Sequence, residues 1–154
     1  MNTIVYQKPT LRDIPAMQAL VAPEIESGVI LPRSNDEIAT NIRSYWLAMD
    51  GEKIVGFCAL HIHSPNLAEL RSMIINPDYR GRSIGSELVE KACEEGRKLG
   101  LKEVLALTYQ QRFFERLGFV EIPKESIPEH KIWADCIKCK HFPVCNEVSL
   151  IKTL

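Results

Sequence analysis

Residues 3–8 alternate between apolar and polar in the way a strand does. Thr10 followed by Asp13 resembles a capping box and predicts a short helix through Leu20. Pro23, Gly28 and Pro32 then mark the stretch from Ala22 to Arg33 as a loop. Ser34 with Glu37 forms a second capping box, opening a helix whose apolar side carries Ile38 and Ile42. Residues 45–50 and 53–62 read as two strands joined around Asp50-Gly51, a hairpin signal. Another strand covers 67–76 and stops at Asn76-Pro77.

From Ser83 to Leu99 the spacing changes to helical. Ile84, Leu88, Ala92 and Leu99 are predicted to face inward, while Glu87–Lys91 and Glu94–Lys98 form i,i+4 pairs outside. Gly100 is a fitting residue to end this helix. Residues 102–108 form an apolar strand, 109–117 a short helix and 118–122 a turn into another strand. Lys131 to Ala134 is strand-like, Asp135 to Cys145 is a cysteine-bearing loop, and Val148 to Thr153 is a last strand. Strands and helices mix without strict alternation and without an internal repeat. The expected class is α/β or α+β, one domain over 1–154 with helices on the faces of a sheet.

Composition narrows the function classes. With 45% hydrophobic and 25% charged residues, the chain of 154 can bury a core of its own. A net charge of −1 supplies no basic field for nucleic acid or an anionic membrane surface. No apolar run approaches the roughly 20 residues that span a bilayer, and the start carries no signal-peptide pattern. A cytoplasmic protein with reduced cysteines is the expectation.

The most informative stretch runs from Met73 through Arg80, Gly81, Arg82, Ser83, Ile84, Gly85 and Ser86. A strand feeds a basic, glycine-containing turn that opens the long helix. Main-chain N–H groups converge in such a turn, and a helix N-terminus adds partial positive charge. Gly81 and Gly85 let the backbone approach an anion, and Arg80 and Arg82 add full charge, which suits a pyrophosphate. A strand–helix turn with merely solvated arginines is the plainer alternative. The stretch is neither a P-loop nor the dinucleotide G-x-G-x-x-G.

Arg80-Gly-Arg-Ser83-Ile-Gly85 resembles the cofactor motif of the GNAT superfamily of N-acetyltransferases, Arg/Gln-x-x-Gly-x-Gly/Ala, with Ser83 where glycine is commonest. The order of elements resembles that family over most of the chain. Phe113-Phe114-Glu115-Arg116-Leu117-Gly118-Phe119 looks like its second motif. The resemblance implies a mixed, splayed sheet of six to seven strands and acetyl-CoA as cosubstrate. Its pantetheine arm would run along Met73, Ile74 and Ile75, and its pyrophosphate along Gly81 to Ser86. The Met73 N–H would polarise the thioester carbonyl.

Acyl transfer to nitrogen needs a neutral amine and therefore a proton acceptor. Period-two geometry puts Glu69, Arg71 and Met73 on one face. Several GNAT enzymes have a general-base glutamate four residues before the oxyanion N–H, the spacing of Glu69 to Met73. Four strand residues span roughly 13 Å, so a bulge or a relay water is required. Alternatively Glu69 is a rim group paired with Arg71, a pairing that lowers its pKa and weakens the base. Many members place an acidic tyrosine on the short helix, where this chain has Phe114. Tyr109 is the substitute, with packing as its other reading.

Gly28-Val-Ile-Leu31-Pro-Arg33-Ser34, Ala68-Glu69-Leu70 and Leu107-Thr108-Tyr109 resemble the acetyltransferase domain of N-acetylglutamate synthases. By that resemblance Arg33 grips a substrate carboxylate, with main-chain help from Leu31 and Arg71 beside it. A planar guanidinium pairs bidentately with such a group. An arginine before a helix is also often plain surface charge. The amino-acid kinase-like domain of the larger synthases is absent from this sequence.

Cys136-x-x-Cys139-x5-Cys145, with His141 inside and His130 nearby, has ligand types for a structural zinc; a reduced cysteine loop is the other reading. Cys58 and Cys93 read as core thiols, and His61 and His63 as packing or rim groups. The expected activity is acetyl transfer from acetyl-CoA to the α-amine of a small acidic amino acid, glutamate first, which places the enzyme in arginine biosynthesis. Open alternatives are another small amine, a polyamine, a protein N-terminus, or a non-catalytic acyl-CoA-binding regulator. A homodimer is left open.

Overall fold

A computed structural model describes residues 3–28, 32–127 and 148–154. Seven strands form one mixed sheet: β1 (Ile4–Gln7), β2 (Tyr45–Asp50), β3 (Lys53–Ile62), β4 (Leu67–Ile75), β5 (Glu103–Thr108), β6 (Val120–Ile122) and β7 (Val148–Thr153). Their spatial order is β1-β2-β3-β4-β5-β7-β6, with β4 and β5 the parallel pair and every other pairing antiparallel. Among the described residues four α-helices accompany them: α1 (Ile14–Glu26), α2 (Asn35–Thr40), α3 (Ile84–Leu99) and α4 (Gln111–Arg116). The α/β class and the seven-strand mixed sheet agree with the sequence reading.

Helix α3 covers one face. Ile84, Leu88, Val89, Ala92 and Cys93 pack there on Ala68 and Leu70 of β4, Val104 and Ala106 of β5 and Leu150 of β7. Helices α1 and α2 cover part of the other face, with Met17, Val21 and Ile38 against Leu47 of β2, Phe57 of β3 and Ile74 of β4. Cys58 and Cys93 are buried free thiols, as expected, and burial pushes the Cys58 thiol up to about 12. No helix among the described residues is long and apolar enough to cross a membrane.

The helices depart from the sequence reading at three places, the first being Ile42, which follows α2 in a separate 3-10 turn (Ile42–Ser44) instead of lying on its apolar side. Helix α1 does not stop at Leu20 but runs to Glu26, so the expected loop from Ala22 shrinks. Pro23 removes one helical hydrogen bond. The apolar spacing of Met17, Val21 and Ile25 onto the core carries the helix past that break. Leu99, expected inward, is 60% exposed. Gly100 at φ +92° turns the chain, and the Leu101 N–H bonds the Gly96 carbonyl at 3.0 Å. Leu101 thereby occupies the inner position against Gly96 that Leu99 would have filled.

The decisive irregularity lies in β4. Ala59 faces Arg71 and Phe57 faces Ile74, so Ser72 and Met73 stand opposite the single residue Cys58, a β-bulge. Ser72 adopts φ +55° there. The bulge corrects the expected alternation. Met73 packs with the α3-side core and not on the face of Glu69 and Arg71, while Ile74 returns to the α1 side.

Nothing lies within 4 Å of the site a Gly100 Cβ would take, so the left-handed backbone alone selects glycine there. Gly100→Ala is expected to lower stability by about 1 kcal/mol. Urea unfolding should show a lower midpoint at an unchanged slope.

Candidate active site

Strands β4 and β5 pair only where Leu67–Leu70 meets Glu103–Ala106. Beyond that point Leu107 and Thr108 register with β7 alone, and β4 bends away at its bulge. The two parallel strands therefore splay, and a cavity of about 790 Å³ opens between them. Its walls are Glu69–Ile75 of β4, Ala106–Gln110 at the end of β5, the Tyr79–Gly81 turn, Ser83–Ser86, and Phe113, Phe114 and Arg116 of α4. Glu24, Gly28 and Arg33 close it from the α1 side. Four arginines (Arg33, Arg71, Arg80, Arg116) against two glutamates (Glu24, Glu69) line it. That balance favours an anionic ligand.

At one end the start of α3 is prepared for an anion. Ser83 sits at the N-cap with φ +62°, in the left-handed region, and makes no capping hydrogen bond with its side chain. Gly81, two residues earlier, has φ +80°. The first intrahelical bond is Glu87 N–H to the Ser83 carbonyl, so the preceding N–H groups have no helical acceptor. Helix α2 differs: Ser34 Oγ accepts from the Glu37 N–H at 3.1 Å, and Glu37 accepts from the Ser34 N–H. One helix start is closed by its own side chains; the other is open toward the cavity. Gly85 is closely packed: a Cβ there would come within 3.0 Å of Met73 Cε and 3.2 Å of Phe113 Cζ, so those side chains would have to give by a few tenths of an ångström.

The arginines of the turn behave differently from each other. Arg80 lines the cavity and is 60% exposed; its Nη2 lies 3.7 Å from Glu24 Oε1. Arg82 instead stacks 4.8 Å from the centre of the Tyr79 ring and does not line the cavity. The half-buried Tyr79 ring thus holds the Arg82 guanidinium outward. Tyr79 hydrogen-bonds Asp50, tying this turn to the β2–β3 hairpin.

At the other end lies a buried ionic cluster. Glu69, 7% exposed, accepts from Arg71 Nε at 3.0 Å and from His63 Nε2 at 2.9 Å, both on Oε1. Burial alone pushes this carboxyl up. The His63 hydrogen bond and the Arg71 charge and hydrogen bond outweigh it, leaving the pKa below its ordinary 4.5. The pairing with Arg71 was foreseen. His63 was not: taken as packing or rim, its side chain is fully buried against Glu69. The only sequence signal was its place just after a strand whose neighbour carries the glutamate. Tyr45 was also missed. Burial raises its pKa, and a hydrogen bond with Ser72 and the charges of Arg33 and Arg71 oppose the rise.

The cavity gathers most of the predicted residues: Arg33, Glu69, Arg71, Met73, Ile74, Ile75, Arg80, Gly81, Ser83, Ile84, Gly85, Ser86 and Tyr109. Arg33 is placed by Gln18 of α1, which donates to its carbonyl at 2.8 Å, and its guanidinium lies 3.9 Å from Glu37. Phe114 is core, edge-on to Phe113 and Phe119. Leu31, Lys131 to Ala134 and the cysteine set Cys136, Cys139, His141 and Cys145, with His130, lie outside the described residues. Among the described residues no group of three His, Cys, Asp or Glu side chains suits a metal.

Known proteins share this sequence pattern and fold. The model of the acetyltransferase (GNAT) family matches residues 14–119. An uncharacterized N-acetyltransferase of Chlorobaculum tepidum is 36% identical over 144 residues, 94% of this chain and 92% of that one. An amino-acid acetyltransferase of Mycobacterium tuberculosis is 32% identical over 122 residues, 77% of this chain and 69% of its own length. This chain spans only 28% of the amino-acid acetyltransferase of Mannheimia succiniciproducens, to which it is 30% identical over 124 residues. Among solved structures, N-acetylglutamate synthase from Neisseria gonorrhoeae, complexed with coenzyme A and N-acetyl-glutamate, superimposes with a TM-score of 0.89. The match covers 100% of this chain and 36% of that one at 20% identity, a likeness of fold.

Because the folded Glu69 carboxyl is more acidic than the unfolded one, it stabilises the fold above pH 4.5. That contribution is lost as pH falls from there through the lower folded pKa. Glu69→Gln should flatten this part of the acid decline, measured as urea-unfolding free energy against pH.

Proposed function

This chain belongs to the acetyltransferase (GNAT) family, and on that premise we propose that it moves the acetyl group of acetyl-CoA onto the α-amine of an acidic amino acid, L-glutamate foremost. The observation that carries the reading is one continuous cavity with the open α3 start at one end and Arg33, Arg71 and Glu69 at the other. A pyrophosphate suits the uncapped N–H groups from Gly81 to Ser86 with Arg80 beside them. From there the pantetheine arm enters the gap between β4 and β5 along Met73, Ile74 and Ile75, bringing the thioester to the bulge.

In the proposed reaction Arg33 holds a carboxylate of the acceptor. The amine nitrogen attacks the thioester carbonyl while the Met73 N–H steadies the developing oxyanion. The C–N bond forms, the C–S bond breaks, and the electron pair leaves on sulfur. The proton lost from nitrogen passes through a water held by Glu69 to solvent. A thiol with an ordinary pKa near 8.5 is a good leaving group, so burial of Phe114 where a tyrosine acid is frequent does not block the step. In this reading Tyr109 protonates the thiolate, a role supported by its position on the cavity wall at 40% exposure.

The buried Phe114 also favours the second reading, a binding-only regulator that holds acyl-CoA without turnover. A thiol-release assay against a panel of amino acids, polyamines and peptide N-termini separates the two. The enzyme reading predicts release with glutamate above all other acceptors. Arg33→Ala should raise the glutamate KM by roughly 10- to 100-fold, the worth of a charged hydrogen-bonded pair, with the acetyl-CoA KM unchanged. Tight binding of acetyl-CoA with no release for any acceptor would leave the regulator.

A further inference from the structure

A glutamate side chain at the edge of an open cavity is free to rotate unless something holds it. Glu69 is held from two elements at once, by Arg71 two residues along β4 and by His63 from the turn after β3. Both donors converge on Oε1, and among the described residues no hydrogen bond reaches Oε2. We propose that His63 is a positioning residue of the transfer reaction: its Nε2–H fixes Oε1 so that Oε2 faces the acceptor amine and its relay water. The proposal rests on the acetyl-transfer reading above.

The turn that delivers the imidazole is itself fixed. The His63 and Ser64 N–H groups both bond the Leu67 carbonyl, at 2.9 and 3.1 Å. Ser64 Oγ accepts from the Asn66 and Leu67 N–H groups at 3.2 and 3.1 Å. His61 packs edge-on to the ring, with centroids 4.9 Å apart. Facing an acceptor-only carboxylate, Nε2 carries a proton. The other nitrogen, Nδ1, is buried with no partner among the described residues. A leucine would fill the same space without an unpaired polar atom. What histidine adds is the bond to Glu69.

The titratable and charged groups around Glu69 are His63 and Arg71 in contact, His61 opposite it on β3, and Arg33 and Glu24 on the cavity wall. Its neighbour on β5, Leu105, is apolar. Losing the His63 bond removes an interaction that favours the ionised form, so the Glu69 titration moves to higher pH.

Three substitutions separate positioning from packing. Leucine at 63 keeps the volume and loses the donor; glutamine carries an amide N–H where Nε2 lies; asparagine carries it only where Nδ1 lies. His63→Leu should lower kcat by roughly 10- to 100-fold, with the acetyl-CoA KM within about twofold. The acid limb of kcat/KM should shift to higher pH. His63→Gln should restore most of the rate and His63→Asn little. The Glu69 carboxyl titration, followed by ¹³C NMR and assigned through Glu69→Gln, gives the same comparison without turnover. Should the wild type acetylate nothing, the transfer reading fails, while an upward-shifted Glu69 titration in His63→Leu still reports the clamp on Oε1. If His63→Leu does not fold, the glutamine and asparagine pair carries the test. Unmoved Glu69 titration in His63→Leu and His63→Asn, or equal loss in His63→Gln and His63→Asn, overturns the proposal.

Discussion

One extra residue in β4 governs the architecture of the site. Because Ser72 and Met73 share a single partner on β3, the strand bends out of register and cannot stay paired with β5 past Leu70. A parallel sheet without that bulge would hold its two central strands together along their length. The space between them would be filled by side chains. Here the strands part, and the opening continues directly into the turn that starts α3. The same extra residue resets which side chains face which way. It leaves Glu69 and Arg71 on the face that α1 and α2 flank and turns Met73 toward α3. In the proposed reaction, chemistry on the cofactor arm and recognition of the acceptor would take opposite walls of one cavity.

Electrostatics divides that cavity into two regimes. At the α3 end, positive potential comes from unpaired main-chain N–H groups and the exposed Arg80, a setting for an anion that arrives with its own charge. At the other end the charges are already compensated: Glu69 shares one oxygen between Arg71 and His63. A buried carboxylate with two donors stays ionised far below neutral pH. It is therefore suited to holding an ammonium group or ordering a water more than to keeping a proton from a basic amine. In the proposed reaction the energetic pull for proton loss would then lie in solvent and in the departure of the thiolate.

Much of this was legible in the chain. The helix and strand periods gave the β2–β3 hairpin, α3 and β7 to within a residue, because each combines a clear period with an explicit stop: Asp50-Gly51, Gly100, or a run of alternating residues. The turn before α3 was legible because basic residues and glycines interrupt a strand-to-helix junction. Three features were hidden for physical reasons. A bulge needs no special residue, and Ser72 at φ +55° leaves no glycine as a marker. The partner of Glu69 arrives through tertiary contact, so His63 reads locally as any histidine after a strand. Arg80 and Arg82 are equivalent in sequence, and only the Tyr79 ring distinguishes them.

The proposed transfer requires a thiol carrier lying with its diphosphate on the turn before α3 and its acyl end at the bulge. Amide chemical-shift mapping of ¹⁵N-labelled protein during titration with acetyl-CoA tests this most directly. Saturable shifts should appear at Gly81, Ser83, Gly85 and Ser86 and, with them, at Met73 to Ile75, while the self-capped start of α2 at Ser34 to Glu37 stays still. Saturable binding that leaves both the turn and the bulge unmoved would contradict the account.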